Sequence, residues 1–128
     1  MTTPLICLLI VVFIPFVLAG TGGYFRFRQL GSLDNNNPRE QVRELTGAGA
    51  RVYAAQQNAW EATAIFTAAV VAAHLLEAEP GMSATLAIAF VAFRVLHPIF
   101  YIADIAPLRS ICFLGAVVSA VWLFVLGA

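Results

Sequence analysis

"AIAFVAFRVLHPIFYIAD", residues 87–104, decides how this chain folds. Apolar residues fill it almost from end to end, yet Arg94 and His97 sit inside it, followed by Tyr101 and Asp104. A helix needs roughly 20 apolar residues to cross a bilayer, and this stretch with its upstream flank supplies them. Ionisable side chains at membrane depth are costly and are kept where they pair or function. The spacing of 3, 4 and 3 from Arg94 to Asp104 puts all four on one helical face.

The rest of the chain has the same character. It is 61% hydrophobic and 11% charged over 128 residues, more apolar surface than a soluble domain of this size can bury. Lipid is therefore the solvent for much of it. Basic and acidic residues balance at seven each, which gives no footprint for nucleic acid. All seven basic residues are arginine, the side chain suited to buried pairs and bidentate anion contacts. Cys7 and Cys112 lie inside apolar runs and read as small buried hydrophobes.

Four segments approach the length of a span: residues 4–20, 54–76, 83–103 and 108–126. The first has no basic residue ahead of its apolar run, so it reads as a retained span rather than a cleaved leader. The one long connection, residues 24–51, carries five arginines and the turn cluster "DNNNP". "PREQVREL", residues 38–45, opens on proline and predicts a short interfacial helix. The second connection, "EAEPGMS", has two glutamates and no base, and the third, "DIAPLR", ends in Arg109. Arginine-bearing loops face the cytoplasm, so the long loop is expected inside and both termini outside. Residues 1–128 are expected to form one all-α membrane domain, a four-helix transmembrane bundle.

The second span has its own polar stripe, Arg51, Asn58 and Glu61, spaced 7 and 3. At about 1.5 Å per residue, Glu61 lies roughly 15 Å in from Arg51, and Arg94 lies roughly 15 Å in from Asp104 at the same end. The stripes should match rung by rung: Glu61 with Arg94, Asn58 near His97, and Tyr101 nearer the mouth, where Arg109 and Ser110 begin the fourth span. Pro98 leaves the Arg94 carbonyl without its helical donor. Structural readings stand beside this one. Glu61 and Arg94 could simply pin two helices, Asn58 could be interhelical glue, and His97 could be a packing histidine. The convergence of the set, with more arginine than one glutamate neutralises, points to a cytoplasm-facing crevice for an anionic, polar ligand. No metal-ligand set is spaced for binding, no catalytic triad or phosphate loop is present, and there are no inverted repeats of a transporter.

Two stretches carry a resemblance: "NPREQVRELTGAGARVYAAQQNAWEATAIF" and "FRVLHPIFYIADIAPLRSICF". Together they contain R-x6-N-x2-E and R-x2-H-x3-Y-x7-RS, and from about residue 38 onward the chain resembles the MAPEG family, membrane-associated proteins in eicosanoid and glutathione metabolism, particularly its small bacterial branch. The resemblance implies a homotrimer with glutathione held between subunits toward the cytoplasm, in a bacterial inner membrane. It implies that Asn58, Glu61, Arg94, His97 and Tyr101 contact glutathione, that Arg109 and Ser110 lie near its thiol, and that Arg51 is structural. Ala54 and Gln57 stand where efficient members often carry further arginines, and Phe113 stands where a tyrosine is frequent.

The function expected is a glutathione-dependent transferase or peroxidase acting on a lipophilic electrophile that enters from the membrane lipid. Arg109 would stabilise the thiolate, the reactive form of the thiol. The alternative is a non-catalytic membrane protein whose crevice is structural or binds a lipid headgroup; an anion or proton conduit is a third reading.

Overall fold

The computed structural model describes residues 1–128. It is wholly helical: α1 (Thr3–Leu30), α2 (Pro38–Arg43), α3 (Gly47–Leu75), α4 (Pro80–Ile102) and α5 (Ala106–Val125). The central helices are α3 and α4, which pack on each other and on both α1 and α5; α1 and α5 flank them without a comparable mutual contact.

Small residues make the close packing possible. Ala59, Ala62, Ala69 and Ala73 on α3, Ala87 on α4, and Ala116 and Ala120 on α5 are all buried. Between them Phe66 and Phe90 stack face to face, with centroids 4.0 Å apart and planes within 3°. Lipid tails are as apolar as leucine, so helices in a bilayer associate through such close fits rather than through exclusion of water. The large apolar side chains point outward instead: Leu9, Phe13, Phe16 and Val17 on α1 and Leu114, Val118 and Trp122 on α5 are exposed. Three helices, α1, α4 and α5, are long and apolar enough to cross a membrane. The fourth long helix, α3, is not among them; it carries Arg51, Gln56, Gln57, Asn58 and Glu61 in its first half.

The structure redraws the long connection. From hydropathy, residues 24–51 read as loop, but α1 continues to Leu30 and α3 begins at Gly47. What holds the polar end of α1 in a helix is tertiary. Gly22 lies against the Tyr53 ring, where a Cβ would come within 2.6 Å, so a larger residue would have to push that ring aside. Arg26 Nε donates to Gln41 Oε1 at 2.7 Å and Arg26 Nη2 to the Asp34 carbonyl at 3.2 Å. Gln29 Nε2 donates to the Thr46 carbonyl and Thr46 N to Gln29 Oε1, both at 3.0 Å. The helix stops at Gly31, whose φ of 78° is the left-handed conformation glycine adopts without penalty. The turn between, residues 31–37, and the short α2 fold back onto this clamp through buried Gln41, whose Nε2 donates to the Ser32 carbonyl at 2.8 Å.

At the other connections, α3 ends through Glu77 with φ 51° and α4 through Asp104 with φ 62°. Glu79 caps α4, its two carboxylate oxygens accepting from Gly81 N and Met82 N at 2.7 and 2.6 Å. Pro98 lies within α4 without ending it.

Candidate functional site

The register of α3 against α4 is fixed at one end. Arg51 Nε donates to the Ile102 carbonyl at 3.1 Å, joining the first turns of α3 to the last turn of α4 and satisfying a carbonyl that the helix end leaves open. Glu61 lies ten residues in from that contact on α3 and Arg94 eight residues in on α4, so both are roughly 12–15 Å deep. The two stripes do face each other. Asn58, Glu61 and Arg94 line one cavity of about 120 Å³, with Phe90 and, from α5, Phe113 and Ala116 completing its wall.

Within this cavity polar valences are left open. Arg94 is 2% exposed, the largest fully buried side chain in the protein, and its Nη2 has no hydrogen-bond partner. Asn58 Oδ1 is likewise buried and unpartnered, while Asn58 Nδ2 makes a long 3.5 Å contact to Glu61 Oε2. Buried polar groups almost always find partners, and a charged donor without one is expensive. The cavity therefore exposes a guanidinium, an amide oxygen and a carboxylate that do not neutralise one another. The expected Glu61–Arg94 rung is a shared cavity rather than a closed ion pair.

His97 packs one turn closer to the mouth than Arg94. It is 2% exposed and packs edge-on against Tyr101, with ring centroids 5.6 Å apart, and its Nδ1 is unpartnered. Tyr101 leans on the cluster of Leu18, Ala55 and Ala59, because two alanines on α3 leave room for its ring there. Over that ring lies the Arg109 guanidinium, 4.6 Å from the centroid, a cation–π contact that positions the cation while leaving its N–H donors free. Ser110 follows on α5 and is exposed. The seven candidate residues thus form two adjoining groups: Asn58, Glu61 and Arg94 around the inner cavity, and His97, Tyr101 and Arg109, with Ser110 beside them, toward the mouth.

Ala54 and Gln57 are exposed on α3 and bring no cation to the site. Sequence reasoning missed the apolar wall. Phe90 sits four residues before Arg94, Ile65 four after Glu61, and Ala116 and Val117 follow Phe113, so helical spacing carried a signal for each. No cluster of three His, Cys, Asp or Glu side chains forms anywhere.

No curated protein and no solved structure matches the chain. The model of the MAPEG family matches residues 3–128, which takes in the first helix as well as the motifs on α3, α4 and α5. With the apolar helices and the polar stripe between α3 and α4, that match over essentially the whole length establishes that this integral membrane chain belongs to the MAPEG family.

Proposed function

We propose that this protein is a glutathione-dependent transferase or peroxidase that acts on lipophilic electrophiles. The observation that carries the reading is the inner cavity, in which Arg94 and Asn58 hold open valences beside the Glu61 carboxylate. A cation and an anion that share a small cavity without pairing complement a zwitterion. The γ-glutamyl end of glutathione is one: its carboxylate meets Arg94 and its ammonium meets Glu61, while Asn58 and His97 orient the peptide.

At about 120 Å³ the cavity is well below the roughly 300–1,000 Å³ of a complete ligand pocket. It anchors one end of a tripeptide and leaves the remainder to be enclosed by another subunit, in keeping with a homotrimer. In that assembly α3 is a fourth span, its polar half covered by neighbours, and the arginine-bearing connection faces the cytoplasm of a bacterial inner membrane.

From this anchor the cysteinyl part reaches the mouth. There Arg109, held on Tyr101, and the Ser110 hydroxyl meet the sulfur at the first turns of α5, where the helix dipole also favours an anion. The thiol gives its proton to water. The resulting thiolate forms a bond to the electrophilic carbon as the leaving group departs with its electron pair. With a hydroperoxide, it attacks oxygen and breaks the O–O bond, and a second glutathione reduces the sulfenate formed.

A second reading has two observations in its favour: Phe113, an apolar ring, lines the cavity, and Ala54 and Gln57 add no cation. On that reading the polar set is structural or holds a lipid headgroup. Conjugation of a model electrophile by the detergent-solubilised protein separates the two. Glutathione-dependent turnover that falls at least tenfold in Arg109→Ala supports the enzyme. Turnover no faster than the uncatalysed reaction, in wild type and variant alike, supports the alternative.

A further inference from the structure

A second and larger cavity lies at the opposite end of the bundle, enclosed by the first turn of α1, the end of α3 and the start of α4. Its volume is about 630 Å³, within the range of ligand pockets, and Thr2, Thr3, His74, Glu77 and Ser83 bring polar groups into a lining that is otherwise apolar. From Glu61 to His74 is about 20 Å along α3, so this cavity is separate from the Arg94 site.

Its polar groups are unspent. Ser83 is 5% exposed and lines the cavity, and its Oγ has no partner. Glu77, on the same wall, is held in a left-handed turn with φ 51°, a conformation a non-glycine residue keeps only where its surroundings enforce it. Its neighbour Glu79 commits both oxygens to the α4 cap, which leaves Glu77 as the available carboxylate. On the α1 side Thr2, Thr3 and Pro4 line the cavity; Leu5 N and Ile6 N already donate to the Thr2 carbonyl and Pro4 has no N–H, so the Thr3 N–H and the positive end of that helix are what α1 offers. His74 adds an imidazole. The cavity thus brings the positive end of α1 together with the Ser83 hydroxyl, the His74 imidazole and the Glu77 carboxylate.

We propose that this cavity binds a phosphoethanolamine headgroup, its phosphate against the α1 N-terminus, His74 and Ser83, and its primary ammonium against Glu77. Exposed Ile6, Leu9, Leu75 and Leu76 surround the region with apolar surface suited to acyl chains. The headgroup belongs to a bilayer phospholipid or to the soluble glycerophosphodiester, and the test distinguishes them.

The full-length protein in detergent is titrated with phosphatidylethanolamine and phosphatidylcholine of identical chains, with binding followed by native mass spectrometry and thermal unfolding. Wild type binds the ethanolamine lipid about tenfold more tightly, about 1.4 kcal/mol, because a quaternary ammonium has no N–H to give Glu77. Glu77→Gln abolishes that preference. Ser83→Ala weakens ethanolamine-lipid binding while leaving the lipid-free protein at least as stable, since it removes an orphaned hydroxyl. Competition by glycerophosphoethanolamine assigns the site to the soluble headgroup, and failure to compete assigns it to the lipid. Equal affinity of wild type for both lipids overturns the proposal. So does unchanged lipid binding in Ser83→Ala, which decides the matter if Glu77→Gln does not fold.

Discussion

Replacing Arg94 by methionine should move stability and ligand affinity in opposite directions. Methionine keeps the length and apolar character of the stem and removes the guanidinium. Arg94 is 2% exposed and its Nη2 is unpartnered, so the unliganded protein carries most of the desolvation cost of that charge with little return. Exchanging buried ionic groups for well-packed apolar ones is neutral or stabilising by about 1–4 kcal/mol. Glu61 is exposed and contacts Asn58, so the substitution strands no buried counter-charge. Binding should suffer instead. A hydrogen bond to a charged group contributes about 1.5–3 kcal/mol, so glutathione affinity should fall by between about tenfold and a hundredfold. Denaturation of the detergent-solubilised protein, paired with calorimetric titration of glutathione, reads both quantities. A loss of roughly 3–5 kcal/mol of stability with affinity intact would refute the reasoning, because that is the signature of a broken buried ion pair.

Further outcomes follow from other contacts. Arg51→Leu removes the bond to the Ile102 carbonyl and should cost about 1.5–3 kcal/mol in unfolding free energy, with glutathione affinity changed less than in Arg94→Met. Gly22→Ala drives a Cβ toward the Tyr53 ring and should destabilise by about 1–3 kcal/mol; Tyr53→Leu in the same chain should recover most of the loss, and no recovery would place the clash elsewhere. Glu79 is the pH-sensitive cap: bonds from Met82 N and Gly81 N hold its carboxyl below the ordinary 4.5. Because the folded value is depressed, its contribution is present above 4.5 and fades as pH falls through the folded value. Stability measured across that acid range should fall more steeply in wild type than in Glu79→Gln, and parallel curves would count against the cap.

The helical face of α4 was legible because period-3.6 arithmetic needs only the spacing of Arg94, His97 and Tyr101. Matching depths on two antiparallel helices then brought Asn58, Glu61 and Arg94 to one cavity, a register the Arg51–Ile102 contact fixes independently. Sequence spacing could not separate a shared cavity from a closed pair, since that depends on sub-helical rotation and side-chain reach. Nor did spacing give the edge-on packing of His97 against Tyr101, whose ring rests on Ala55 and Ala59. The end of α1 was misread for a related reason. "YFRFRQL" is polar enough to look like loop, but its helix is held by Gln41, Thr46 and Tyr53, partners distant in sequence. The cavity at the far end depends on the left-handed turn at Glu77, and no glycine or asparagine announces that turn.

The central claim is that this crevice takes glutathione and ionises its thiol beside Arg109. Titrating the solubilised protein with glutathione and following thiolate ultraviolet absorbance at neutral pH tests both halves at once. The account predicts a saturable rise in wild type, shifted to higher glutathione concentration in Arg94→Met and lost in amplitude in Arg109→Ala. A flat response in wild type, or one that Arg109→Ala leaves unchanged, would contradict it.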